Sequence, residues 1–238
     1  GCLAVDEGCG QILLVLAGGF VLRALTESGV LPRLAGTWVG LVYAAVWAVL
    51  CHILGARGRR PEAAANAIAA VMVAVPLIWE STVRFSTLSP WVAGTLLIAI
   101  TALVLPIAER HRLAFASAAA VLGMGCASVA LMLGGRPPEP FALTLALLGI
   151  AAIWVGPGRG GPLPWIAYGF CDLGLLLLLF DGLSQRAVAQ PASAVAIFVG
   201  FFLLTMILLV VGSKRTGEAG AHRIFQGTIA MLLGYGGA

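Results

Sequence analysis

The chain of 238 residues is 61% hydrophobic and only 10% charged, and it carries a formal net charge of +4. Soluble domains carry about 25% charged residues, so this composition excludes an ordinary soluble protein and predicts an integral-membrane protein. The basic residues fall in short segments between apolar stretches, where membrane topology places them, and the positive charge therefore does not indicate a nucleic-acid partner.

Apolar stretches long enough to cross a bilayer, about 20 residues each, follow one another along the chain. They predict an all-α, polytopic transmembrane bundle of eight helices plus a partial ninth, forming one domain over residues 1–238. The predicted helices cover about residues 10–26, 35–54, 63–80, 90–109, 113–133, 141–155, 165–184, 192–211 and 224–235. The chain has no initiator Met and ends within an apolar stretch, so we expect it to be part of a longer protein.

The first four predicted helices carry local signals of how they pack. A short turn containing Pro32 joins the first two, which predicts an antiparallel hairpin. The third begins with AAANAIAA, residues 63–70, and small residues let helix backbones approach closely in lipid. We therefore expect this segment to be buried against a neighbour. Pro76 in the third helix and Pro106 in the fourth each remove a backbone hydrogen bond, and each predicts a kink.

Lysine and arginine are divided unevenly between the two ends of the predicted helices. Nine lie in the connections on the side of the N-terminus, and the other five lie on or near the opposite side. Cytoplasmic connections are enriched in these residues, so the N-terminus is predicted to be cytoplasmic. The predicted location is the inner membrane of a bacterium.

Five charged residues are predicted to lie close to the outer surface and form a candidate charge cluster. They are Arg23, Glu27, Glu80, Arg84 and Asp181. Arg23 and Glu27 are four residues apart, so they share one face of a helix and can pair at the headgroup level. The cluster is interpreted either as interfacial ion pairs or as a site for a lipid-linked substrate.

The seventh predicted helix contains two carboxylates, Asp172 and Asp181. At about 1.5 Å per residue Asp172 lies roughly 10 Å from the start of the helix, and about 100° per residue turns the two aspartates to opposite sides. They cannot form one dyad. Asp172 has no basic residue close in sequence, so it is interpreted as a hydrogen-bonded polar contact or as a proton-relay, ion-binding or substrate residue.

Known metal and catalytic motifs are missing from the sequence. The five cysteines form no CxxC pair and no Cys/His ligand spacing, and no pair of histidines inside the spans could hold a haem. The motifs HExxH and GxSxG do not occur. We therefore expect no metal and no cofactor, and we assign no catalytic residue.

Residues 16–36, LAGGFVLRALTESGVLPRLAG, carry a resemblance to a known family. The run Leu22, Arg23, Ala24 at the end of a helix, followed by a short turn and Arg33, resembles a helix-turn-helix unit of large, uncharacterised bacterial multi-pass membrane proteins. That family is described as a predicted membrane domain of unknown function. The resemblance implies a bacterial membrane location and a longer chain with more helices, and it supplies no catalytic residues.

Three functions are open at this point. The leading interpretation is a structural or accessory membrane subunit that contacts lipids and other membrane proteins, scaffolding a larger complex. The predicted spans contain few polar residues, and several of them are rich in the small residues that let helices pack closely. Both features favour this interpretation. The alternative is a transporter or channel that uses Asp172. The third is a membrane enzyme acting on a lipid-linked substrate at the outer face, through the charge cluster.

Overall fold

The structure is a computed structural model that describes residues 2–155 and 163–181. This part of the chain contains seven α-helices and no strand, which confirms the all-helical prediction for it. The helices are α1 (Cys2–Glu27), α2 (Arg33–Ala56), α3 (Arg60–Val83), α4 (Pro90–Arg110), α5 (Ala114–Leu133), α6 (Glu139–Val155) and α7 (Leu163–Asp181). The predicted helices at 192–211 and 224–235 lie outside the described residues.

Four of these helices, α2 to α5, are long and apolar enough to cross a membrane. This agrees with the composition. Two of the helices extend well past their apolar stretches: α1 begins eight residues before residue 10, and α3 covers three residues more than predicted at each end. A helix continues into polar surroundings until its backbone is stopped, and residues 2–9 contain no proline to stop it.

The connections at the ends of α1 to α4 use local stop and start signals. Gly29 and Gly58, which follow α1 and α2, adopt φ angles of +77° and +78°, a conformation that glycine takes without strain. Ser89 caps α4 by accepting a hydrogen bond from the Val92 amide at 3.4 Å, and Pro90 occupies the first turn. These signals fix where consecutive helices reverse direction.

The chain divides into two compact units, Gly1–Ala127 and Ser128–Ala238. In the first unit α3 packs against α1, α2 and α4, and its contact with α2 is the most extensive. Its AAANAIAA segment is buried or half-buried throughout, which confirms the expected close packing. In the second unit α6 packs against α7. The single domain over residues 1–238 stays a prediction.

The buried hydroxyl groups are mostly satisfied inside their own helices. Thr37, Thr82 and Thr144 donate to backbone carbonyl groups four residues earlier, at 3.0, 2.7 and 2.8 Å. Thr37 and Ser81 also share a hydrogen bond of 2.9 Å between α2 and α3. In lipid an unsatisfied polar group is costly, so internal bonding suits a membrane setting. Within the described residues, the Ser128 hydroxyl is an exception with no partner.

Candidate functional site

Four charged side chains meet where α1 and α3 end. The Nε atom of Arg23 and the Nη1 atom of Arg84 both reach Oε1 of Glu27, at 3.3 and 2.8 Å. The Nη2 atom of Arg23 lies 2.8 Å from Oε1 of Glu80. We call Arg23, Glu27, Glu80 and Arg84 the charge network. The structure thus brings together four of the five residues of the predicted cluster.

The order of the helices explains this meeting. Because α2 runs antiparallel between them, α1 and α3 run in the same direction and their C-terminal ends lie at the same end of the first unit. Arg23 and Glu27 share a face of α1 through their spacing of four residues, and Glu80 and Arg84 have the same spacing at the end of α3. Each helix therefore presents one acid and one base to the other.

The arginines around Glu27 favour the ionised form of its carboxyl group. The hydrogen bond from Arg23 is the largest cause that holds the pKa of this carboxyl group below its ordinary value, and the charges of Arg23 and Arg84 act in the same direction. Exposed ion pairs contribute little to stability. Glu80 is more enclosed, with 14% of its side chain exposed. The charge network therefore matters more for placing charge at this end of the helices than for holding them together.

A fifth side chain, Phe85, links the charge network to the start of α2. The guanidinium carbons of Arg33 and Arg84 lie 5.4 and 5.5 Å from the centre of its ring, within the range of cation–π contacts. Among the described residues Arg33 has no carboxylate partner. Three guanidinium groups therefore face two carboxylates at this end, which leaves one net positive charge.

A pocket of about 310 Å³ opens beside the charge network, between α1, α2 and α3. We call it the groove. Its walls are mostly apolar and include Phe20, Val73 and Leu77, while Arg23 and Glu80 lie at its charged end with Phe85. This volume is at the lower end of the ~300–1,000 Å³ typical of small-molecule sites. The groove can therefore hold an apolar chain next to a charged group.

Small residues and a proline create this space. Gly19 of α1 and Gly40 of α2 line the groove where larger side chains would fill it. Pro76 lies inside α3, and its missing N–H cannot bond to the carbonyl group of Met72, one turn earlier. Both of these α3 residues line the groove. The stretch of α3 that lacks this hydrogen bond therefore faces the pocket, while the kinks at Pro76 and Pro106 stay predictions.

The two aspartates of the seventh predicted helix both lie in the second unit, on α7. Asp181 is the last residue of α7 and is half-buried. Asp172 is also half-buried, and it has no hydrogen-bond or ion-pair partner among the described residues. Near it, Gly149 of α6 packs against Cys171, and a Cβ atom on Gly149 would lie 3.2 Å from the Cβ atom of Cys171. The functional role of Asp172 stays a prediction.

The opposite end of the first unit brings two histidines together. The Nε2 atom of His111, just after α4, lies 3.4 Å from the Nδ1 atom of His52 on α2. Burial is the main cause that lowers the pKa of His111, and the nearby charges of His52, Arg110 and Arg60 lower it further. No group of three or more potential metal ligands occurs in residues 2–155 and 163–181.

The groove, with the charge network at its end, is the candidate functional site of the described chain. Sequence spacing indicated the ion pair within α1, but it gave no sign of the groove or of Phe85. The likeness of residues 16–36 to a bacterial membrane family stays a prediction. No protein-family model, curated protein or solved structure matches the chain.

Proposed function

We propose that this chain is an integral-membrane protein that binds a lipid-type amphiphile in the groove. One observation carries the proposal: an apolar pocket of about 310 Å³ ends at the charge network. An amphiphile needs both environments at once, because its chain avoids water and its headgroup requires polar partners. If these helices only packed against one another, we would expect their side chains to fill this space.

The apolar part of the ligand would lie between α1 and α3. Phe20, Val73 and Leu77 offer hydrocarbon surface. A pocket of about 310 Å³ is suited to a segment of one acyl or isoprenoid chain. The rest of the ligand would extend into the surrounding bilayer, through the open side of the groove.

The proposed setting is the inner membrane of a bacterium, with the N-terminal side in the cytoplasm. In the first unit five arginines lie at or just after the ends of α2 and α4, namely Arg57, Arg59, Arg60, Arg110 and Arg112. Three arginines lie at the end that carries the charge network. This asymmetry supports a cytoplasmic location for the ends of α2 and α4. The charge network would then lie at the outer surface, at the level of the headgroups.

We propose that the groove binds its ligand and does not catalyse a reaction. Glu27 and Glu80 are both engaged by arginine in the charge network, so neither is placed as a free general base. The proposed ligand belongs to the class that a membrane enzyme at this face would use as substrate, namely lipid-linked molecules. We assign it no reaction.

Filling the groove tests this function. We expect Gly19→Phe to reduce the amount of lipid retained by the purified protein about tenfold or more, because the ring would occupy space now open between α1 and α3. A Cβ atom at residue 19 would meet Val73 at 3.5 Å, an ordinary contact, so the backbone need not move. Native mass spectrometry in mild detergent measures the lipid bound to each protein molecule.

Gly10→Phe is the matched control for this experiment. It makes the same substitution on the same helix, at a position where a Cβ atom would have no neighbour within 4 Å. We expect the control to retain lipid as the wild type does. Equal retention by both variants, with both proteins folded, would contradict binding in the groove.

A second function, an accessory or scaffolding subunit of a larger membrane complex, is favoured by the surface of α2. Spaced three or four residues apart, five large apolar side chains are exposed along one face: Trp38, Val42, Val46, Val49 and Ile53. Such a face suits lipid or another membrane protein. The same mass spectra test this function, because a protein partner at fixed stoichiometry would support it and a solitary chain would count against it.

A further inference from the structure

We infer that the amphiphile carries a phosphate headgroup with a single negative charge, bound by Arg33 at the mouth of the groove. This inference rests on the proposed binding of an amphiphile in the groove and names the chemistry of its polar part. The observation behind it is the charge balance at this end of the first unit, where the guanidinium groups of the charge network and of Arg33 number three and the carboxylates two.

The two carboxylates are already engaged by Arg23 and Arg84. Glu27 accepts from both of these arginines, and Glu80 pairs with Arg23 at 2.8 Å. Arg33 instead contacts the face of the Phe85 ring and has no carboxylate partner among the described residues. Its charge is therefore the one that an incoming anion can neutralise without breaking an existing ion pair.

The position of Arg33 connects this charge with the groove. Phe85 lines the groove, and the guanidinium carbon of Arg33 lies 5.4 Å from the centre of that ring. Gly36 and Thr37, one turn further along α2, also line the groove. A headgroup bound by Arg33 would therefore leave its apolar chain directed along α2 into the pocket.

The guanidinium group of Arg33 favours a phosphate as the bound anion. A guanidinium group presents donors in a planar fork that matches two oxygens of a phosphate, and its weak hydration lowers the cost of contact with an aromatic ring. A zwitterionic headgroup would bring its own positive charge into a region that already has one in excess. A headgroup with one net negative charge brings the local charge to zero.

Competition between two lipids with identical acyl chains tests the inference. The probes are phosphatidylglycerol, which has one negative charge, and phosphatidylcholine, which is zwitterionic, each added to the delipidated full chain and read by native mass spectrometry. We expect the wild type to prefer phosphatidylglycerol about tenfold. Arg33→Gln should bring the ratio close to one with phosphatidylcholine binding unchanged, and Arg33→Lys should retain a preference because it keeps the charge.

Arg57→Gln is the matched control, since it removes one arginine at the other end of the same helix α2. We expect it to keep the wild-type ratio. A wild type without preference, an Arg33→Gln variant that keeps its preference, or one that loses both lipids equally would overturn the inference. Displacement of phosphatidylglycerol by millimolar inorganic phosphate would assign the site to free phosphate and would also overturn it. Failure of the wild type to bind either lipid would instead contradict the proposed function.

Discussion

Replacing Ala67 with Leu is expected to lower the free energy of unfolding of the first unit by about 1–3 kcal/mol through overpacking. Ala67 is 0% exposed, and it belongs to a buried cluster with Ala48 and Cys51 of α2 and Ala63 and Ala70 of α3. The small side chains let these two helices pack closely. Three additional heavy atoms in this contact would force α2 away from α3, and a well-packed interior has no void to absorb them.

Cys51 offers a direct measurement of this effect, because it lies in the same cluster and is 1% exposed. Heating the protein with a thiol-reactive dye and mapping the modified peptides gives the temperature at which Cys51 becomes accessible. We expect that temperature to fall in Ala67→Leu. Ala102→Leu, the same change at an exposed position within α4, should leave it unchanged. Equal temperatures for all three proteins would contradict close packing at Ala67.

Replacing Phe141 with Ala is expected to destabilise the second unit by about 2 kcal/mol, less than the ~3–5 kcal/mol typical of soluble cores. Phe141 is 0% exposed and is the largest of the fully buried side chains in the part of the chain that the structure describes. Truncation removes its packing contacts and leaves a cavity. The hydrophobic effect contributes little to this energy in a membrane. When the helices separate, the phenyl ring still lies in apolar surroundings and is not transferred to water.

Phe115 on α5 provides the matched control, since it is 81% exposed. Removing an exposed ring costs no packing, so Phe115→Ala should unfold at the same concentration of denaturing detergent as the wild type. Titration of the protein in mixed micelles, followed by circular dichroism, measures both variants. A loss of stability in Phe141→Ala that is no larger than the loss in Phe115→Ala would contradict the burial of Phe141.

The apolar pattern predicts the helices because a membrane sets their minimum length. The stretches at 35–54 and 90–109 lie within two residues of the observed ends of α2 and α4. The predicted start of α1 and both predicted ends of α3 differ more from the structure, by eight and three residues, because hydropathy marks where lipid contact ends and not where the backbone leaves the helix. Pro61 in the first turn of α3 is a local signal for the start of that helix.

The candidate site was only partly predictable. The spacing of Arg23 and Glu27 predicts their pair from local geometry, and the alternating direction of the helices places Glu80 and Arg84 at the same end. The contacts of Phe85 depend on the turn after α3, and no local pattern encodes them.

The groove could not be predicted from the sequence, because it is a space that the side chains of three helices leave unfilled between them. Gly19 and Gly40 contribute to it from different helices, and a glycine in an apolar sequence is equally consistent with close packing. The same limit applies to His52 and His111, which lie 59 residues apart and meet only because α2 and α4 end side by side.

The most direct measurement of the central claim is photocrosslinking with phosphatidylglycerol that carries a diazirine in its acyl chain. Occupancy of the groove predicts crosslinks concentrated on the peptides around Gly19 of α1 and around Val73 and Leu77 of α3, and their loss in Gly19→Phe. Crosslinks confined to the exposed face of α2, from Trp38 to Ile53, with none on the groove, would contradict the account.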